Sequence, residues 1–197
     1  MQNVFVMIIA ITGNLGCGKS TVLKAFAKLG FKTMDCDKVV KRLYLKPEVR
    51  KKLRDMFGTT SKKKIGTMVF DEPKKRRKLE ALLHPLVAQE VRDFIKRANN
   101  TSTDAAIEIP LLFEAQGMPK FDFTVLVYCD REKVKKRLRK KGLSGKYVEK
   151  VWAAQMPYDE KLRHADVLID NNGTKKETFL QVKAFLEIIG EDDGKDS

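Results

Sequence analysis

Gly13-Asn14-Leu15-Gly16-Cys17-Gly18-Lys19-Ser20 is the stretch that decides the fold, because it satisfies G-x-x-x-x-G-K-[ST]. A phosphate chain needs many hydrogen-bond donors crowded into a small space. Backbone amides freed of bulky side chains meet that need, so glycines wrap the loop and the helix that starts near Gly18 aims its N-terminal amides at the anion. Lys19 is placed to neutralise the β- and γ-oxygens of a nucleoside triphosphate, and Ser20 to offer a hydroxyl to Mg²⁺. The flanks agree with this reading. Val4 to Ile11 is a near-continuous apolar run, as a parallel strand buried on both faces requires, and it leads straight into the loop without the basic start of a leader peptide. Behind the loop, Val22, Ala25, Phe26 and Leu29 recur at helical spacing until Gly30 stops the helix.

Outward from the loop the rhythm of strand, turn and helix repeats. Phe31 to Met34, Ala105 to Ile109, Phe123 to Tyr128 and Val167 to Ile169 read as four further strands. Strands alternating with helices predict an α/β fold: a five-stranded parallel sheet flanked by helices on both faces, of the P-loop NTPase type. Residues 1–197 form one domain on this reading, with two helical departures. Leu43 to about Ala98 is a basic helical insertion, and Arg131 to Gln155 reads as a basic helix, a Gly142/Gly145 turn and a second helix. Both would emerge at the C-terminal ends of strands, where ligands bind in open α/β sheets. The acidic tail Gly190 to Ser197 is expected to fray.

Composition narrows the partners. No apolar run reaches the roughly 20 residues of a membrane span, so no membrane partner is expected. Cys17, Cys36 and Cys129 are scattered and odd in number, which suits a reducing cytoplasm and no disulfide framework. The net charge of +14 leaves three readings open: nucleic-acid binding, capture of a polyanionic small substrate, or a solvated Lys-rich surface. No nucleic-acid-binding motif accompanies the charge, so a nucleic-acid partner is not expected; oligomeric state is left unassigned.

Asp35-Cys36-Asp37 ends the second strand, and strand alternation would put both carboxylates on one side. A carboxylate at a strand tip beside a phosphate loop can orient an acceptor hydroxyl; Asp37 as a helix N-cap is the competing role. Lys133, Arg137, Lys140 and Lys141 fall on one basic helical face, the composition of a lid that closes over a transferring phosphate. His84-Pro85 is expected to break one helix and start another. His164 reads as a surface residue and Trp152 as packing.

Five segments taken together resemble the dephospho-coenzyme A kinases from Ile9 to about Thr174. They are Thr12 to Thr21, Asp35-Cys36-Asp37, Leu83-His84-Pro85-Leu86-Val87, Ile109-Pro110-Leu111-Leu112-Phe113-Glu114, and a C-terminal group of Gln155-Met156-Pro157, Lys161, Ala165-Asp166 and Ile169-Asp170-Asn171-Asn172-Gly173. The resemblance implies transfer of the γ-phosphate of ATP to the ribose 3′-hydroxyl of dephospho-coenzyme A, with Mg²⁺. Asp37 would be the base, and Lys19 and the loop from Thr12 to Thr21 would hold ATP, with Thr12 beside the transferred phosphate. Asn171 to Gly173 would border the adenine. Arg137, with Lys140 and Lys141, would form the lid, and Arg137 would contact the phosphates. The 43–98 insertion would bind the coenzyme, and His84, Pro110, Leu111 and Leu112 would line the acceptor cleft. The chain departs from the family at Lys141, where a lid arginine is usual, and in a shortened stretch between Gly58 and Phe70. Glu108 occupies a position that often holds an acid in P-loop enzymes. The rival readings are another P-loop kinase, for a nucleoside monophosphate or a shikimate-like alcohol, and a basic nucleic-acid-binding ATPase.

Overall fold

Ile8 to Thr12 is buried at every position, and a strand with no solvent face belongs in the middle of a sheet. The computed structural model, which describes residues 5–115 and 117–192, puts it there. This strand, β1 (Ile8–Thr12), is the centre of a five-stranded sheet in the order β2-β3-β1-β4-β5, with β2 (Lys32–Asp35), β3 (Ala105–Glu108), β4 (Phe123–Tyr128) and β5 (Val167–Asp170). All four pairings are parallel. The N-terminal half of the expected first strand is not strand: β1 begins at Ile8, residues 5–7 lie before it, and Val4 lies outside the described residues. Entry into β1 is fixed by Asp104 Oδ1, which accepts from Met7 N at 2.9 Å, and Asp122 Oδ2, which accepts from Ile8 N at 2.7 Å.

Helices cover both faces. On one, α1 (Lys19–Lys28) and α9 (Lys175–Asp192) pack Val22, Phe26, Val182 and Phe185 against Ile9, Ile11 and Val125. On the other, α2 (Cys36–Leu43) and α5 (Pro73–Asn100) pack Val39, Leu43, Val87 and Val91 against Ala10, Ile107 and Met34. Burying each such aliphatic or aromatic side chain contributes about 1.5–3 kcal/mol. Between α2 and α5 lie α3 (Pro47–Phe57) and α4 (Lys62–Asp71), which close a separate small core of Val49, Leu53, Phe57, Ile65 and Leu83. The helical character of the 43–98 stretch is therefore real, and it has its own hydrophobic support.

Pro85 does not break a helix. α5 runs through it without interruption. A proline inside a helix removes one ladder hydrogen bond and crowds the carbonyl four residues back, at a cost of about 3 kcal/mol. Burial of Leu83, Val87, Ala88 and Val91 around it offsets that cost. The tail also departs from expectation: Gly190 to Asp192 belong to α9, and residues 193–197 lie outside the described residues. After β4 the chain forms α6 (Arg131–Lys140), α7 (Gly145–Ala154) and α8 (Tyr158–Arg163) over the C-terminal end of the sheet. Among the described residues no helix is long and apolar enough to cross a membrane.

Candidate active site

The loop after β1 turns its carbonyls outward. Gly13 O and Asn14 O accept from Lys19 Nζ at 2.9 and 3.2 Å, Leu15 O accepts from Trp152 Nε1 at 3.1 Å, and Cys17 O accepts from Asn171 Nδ2 at 2.7 Å. Two amides are also used: Cys17 N donates within the loop to Asn14 O at 3.3 Å, and Leu15 N donates to Gln155 Oε1 at 3.0 Å. The N–H groups of Gly16, Gly18, Lys19 and Ser20 have no acceptor among the described residues. They form a cluster of free donors at the start of α1, where the helix dipole adds positive potential. Gly18 has φ 98°, and a Cβ there would collide with Asn171 Nδ2, so only glycine fits. A Cβ on Gly16 would fall 2.5 Å from Val134 Cγ1, because α6 packs directly on the loop.

Each expected ATP-binding residue can be placed. Lys19 is 7% exposed, held by its two carbonyl bonds. Thr12 is buried at the tip of β1, and its Oγ1 has no partner; the same is true of Asn14 Oδ1. Cys17 contributes backbone only: its thiol points into the core, and burial raises its pKa. Ser20 is exposed and, with Thr21, lines a shallow hollow of about 220 Å³ beside Lys24 and Lys175. Asn171 backs the loop from beneath. It is 4% exposed, and its Oδ1 accepts from Thr178 Oγ1 at 2.8 Å while its Nδ2 holds Cys17 O. Gly173 is exposed in the turn that opens α9, where Thr174 Oγ1 accepts from Glu177 N at 3.2 Å and the Glu177 carboxylate accepts from Thr174 N at 2.6 Å, a capping box.

The two aspartates do not share an extended segment. The strand ends at Asp35, whose Oδ1 accepts from Lys38 N at 3.1 Å and caps α2, while Asp37 sits exposed in the first turn of that helix. Helical turning replaces alternation after the cap, so Asp35 takes the structural role and Asp37 is left with a solvent-facing carboxylate. Glu108 ends β3, in register with Asp35 on one side and Ile11 on the other. It is buried, its Oε2 has no partner, and its pKa is pushed up to about 7. Burial is the main cause; Lys19 opposes it, and Asp35 and Asp37 add to it. The loop, α2 and β3 thus bring three carboxylates and one ammonium to neighbouring strand tips.

A cleft of about 590 Å³ is lined by Lys19 and Asp37 together, with Pro110, Leu111, Arg76, Glu80 and Gln155. A more apolar cavity of about 270 Å³ adjoins it and shares Asp37, Pro110, Leu111, Arg76 and Glu80, adding His84 and Leu83. Leu112 belongs to neither. It is buried in the core with Ile107 and Val87, because the chain turns after Pro110 and sends Leu111 to the cavity and Leu112 inward. Arg76 and Glu80, which line both cavities, do not stand out in the sequence. The signal is present, since they lie two and one helical turns before His84 on α5, but the surrounding lysines mask it.

The basic face of α6 divides in two. Arg137 donates from Nη1 to Cys129 Sγ at 3.3 Å and from Nη2 to Asn171 O at 3.1 Å, and Lys133 donates to Asn172 O at 3.1 Å. These two tie α6 to the turn after β5. Lys140 and Lys141 stand exposed at the far end of the helix. His164 is exposed as expected, and Trp152 is packed, 9% exposed.

Free loop amides, a lysine at the head of α1 and a carboxylate-bearing cleft beside them, all at the C-terminal edge of a parallel sheet, define a P-loop phosphotransferase. Residues 7–177 match the family model for dephospho-CoA kinase, and the chain belongs to that family. A dephospho-CoA kinase of Aquifex aeolicus is 37% identical, with 93% of this chain and 98% of that protein covered. A solved protein of Thermus thermophilus superposes with a TM-score of 0.78 at 30% identity, covering 94% of this chain and 97% of that one. The dephospho-CoA kinase of Campylobacter jejuni, at 22% identity and a TM-score of 0.65 over 94% and 98% of the two chains, shares the fold. As a kinase family, it uses ATP with a divalent metal.

Proposed function

We propose that this chain transfers the γ-phosphoryl group of ATP to the ribose 3′-hydroxyl of dephospho-coenzyme A, yielding coenzyme A and ADP, the last step of that biosynthesis. The observation that carries the reading is the single cleft lined by both Lys19 and Asp37. The amides of Gly16, Gly18, Lys19 and Ser20 would bind the polyphosphate, and Lys19 would move from its loop carbonyls to the β- and γ-oxygens. Asp37 would accept the proton of the attacking hydroxyl, whose oxygen forms the new P–O bond as the bond to the ADP oxygen breaks. The adjoining apolar cavity, with His84, Pro110 and Leu111, would take one segment of the acceptor's organic part, and Arg76 would supply positive charge for its anionic part. Arg137 keeps donors beyond the two already used and stands next to the loop, so it would stabilise the developing charge.

Mg²⁺ is the divalent ion we propose, since the donors on offer are oxygens, which suit a hard cation. Among the described residues no cluster of three metal-ligating side chains exists, which suits an ion held mainly by phosphates and water. Ser20 would supply its hydroxyl, and the unpartnered Glu108 Oε2 is an oxygen acceptor nearby for the ion's water shell. When bound, the ion neutralises phosphate charge. Three free, buried cysteines support a reducing cytoplasm as the compartment.

Incubation of the protein with Mg·ATP and, separately, dephospho-coenzyme A, AMP, UMP and shikimate tests the assignment by mass spectrometry. Phosphoryl gain on dephospho-coenzyme A alone is expected; robust transfer to a monophosphate or to shikimate overturns it.

A further inference from the structure

Gln155, Met156, Lys161 and Glu114 belong to motifs that the phosphoryl-transfer scheme leaves unused. They converge. Leu15, inside the phosphate loop, has both backbone groups engaged from the end of α7: its N–H donates to Gln155 Oε1, just past that helix, at 3.0 Å, and its carbonyl accepts from Trp152 Nε1 at 3.1 Å. The next residue along, Met156, donates its N–H to Glu114 Oε1 at 2.9 Å. Glu114 follows the Pro110–Leu111 wall of the acceptor cavity. The same carboxylate oxygen lies 3.0 Å from Nζ of Lys161, a lysine with no exposed surface, in a charge–charge contact rather than an aligned hydrogen bond.

Consecutive residues at the joint between α7 and α8 are therefore bonded in two directions, one to the loop that carries the donor and one to the segment that lines the acceptor. We propose that this joint is a bracket that sets the spacing of the two substrates, and that Gln155 is a positioning residue for the phosphoryl donor. Phosphoryl transfer depends on such spacing more than on covalent chemistry, because misplacement of reacting atoms by an ångström lowers the rate about 10²-fold. A glutamine suits the position: it offers an acceptor for Leu15 without adding negative charge beside a polyphosphate. Trp152 holds the other side of Leu15, so the two side chains act on one loop residue as a unit. The ion pair of Glu114 and Lys161 anchors the bracket from α8.

The inference rests on the proposed kinase reading, and its test separates the two. Gln155→Met, which keeps length but removes the acceptor, Trp152→Phe, which keeps a ring but removes the donor, and the double variant are compared in steady-state kinetics with ATP and dephospho-coenzyme A. Gln155→Met is expected to lower kcat/KM for ATP about 10-fold and to leave the KM for dephospho-coenzyme A within about twofold. The double variant should lose little more than Gln155→Met alone, as expected of side chains sharing one partner. Trp152 is the single tryptophan of the chain, so its emission reports on the bracket without turnover; in Gln155→Met it should become more accessible to acrylamide. Should Gln155→Met not fold, Trp152→Phe carries the kinetic comparison. Unchanged kinetics in both single variants, losses that multiply in the double, or an effect confined to the KM of dephospho-coenzyme A would overturn the bracket. A wild-type protein that leaves dephospho-coenzyme A unmodified would overturn the kinase reading instead, while the quenching comparison still decides whether Gln155 holds the loop.

Discussion

Lys19, at the head of α1, and Asp37, in the first turn of α2, line one cleft. The sheet order explains the meeting. β1 and β2 deliver these helices from either side of β3, so two helix N-termini open at the same edge with Glu108 between them. Each helix start contributes positive potential, and on the proposed function the cleft would take a polyanion on one side and a hydroxyl-bearing acceptor on the other.

Gly18 and Asn171 set the shape of the loop. Gly18→Ala would drive Asn171 off Cys17 O, and Asn171→Ala would remove that bond and the one from Thr178 Oγ1. Both variants should weaken ATP binding at least 10-fold in calorimetric titration, and Asn171→Ala should also lose about 2 kcal/mol of stability in urea. Wild-type ATP affinity in both would show that the loop does not depend on this support.

The pair of buried Lys161 and half-buried Glu114 makes a stability prediction. Lys161→Met leaves a carboxylate largely buried without its cation and should cost about 3–5 kcal/mol in a denaturant melt. Adding Glu114→Gln removes the orphaned charge and should recover at least half. A double variant no more stable than Lys161→Met would mean that the pair serves packing rather than charge balance.

Glu108 predicts a pH dependence. Its folded pKa, raised to about 7 chiefly by burial, lies above the ordinary carboxyl value of 4.5. The folded state therefore holds the proton more tightly than the unfolded chain, and this contribution to stability is complete below about pH 4.5 and lost as pH rises through about 7. Glu108→Gln has no such loss. Its melting temperature should exceed that of wild type at pH 8 and converge with it near pH 5. A constant difference across that range would place the Glu108 pKa back among ordinary carboxylates.

What local sequence could and could not reveal follows from the range of the forces involved. β1, the loop and α1 were legible because an unbroken apolar run, glycines and a helical stripe are local signals. The sequence places the termini of β2 to β5 within a residue or so, and only the start of β1 falls later than the apolar run suggests, since Phe5 to Met7 are apolar without belonging to the strand. Strand alternation puts Asp35 and Asp37 on one side, a rule that fails once Asp35 caps a helix. Pro85 obeyed tertiary burial over a local rule, and of the adjacent Leu111 and Leu112 only packing decides which one faces a cavity. The bonds from Trp152 and Gln155 to Leu15 span 137 and 140 residues, and no spacing rule reaches that far. The basic face of α6 and the family resemblance single out Arg137 in the sequence, but its hold on Asn171 O emerges only once β5 and α6 are folded together.

The most direct measurement is single-turnover phosphoryl transfer from Mg·ATP to dephospho-coenzyme A in Asp37→Asn, alongside ATP affinity measured on the same preparation. Asparagine keeps the shape and cannot take the hydroxyl proton, so the rate should fall about 10²-fold or more while ATP binds within about twofold of wild type. An unchanged rate would reduce Asp37 to a residue of the first helical turn and contradict the delivery of a sugar hydroxyl by the tip of β2 to the phosphate held behind β1.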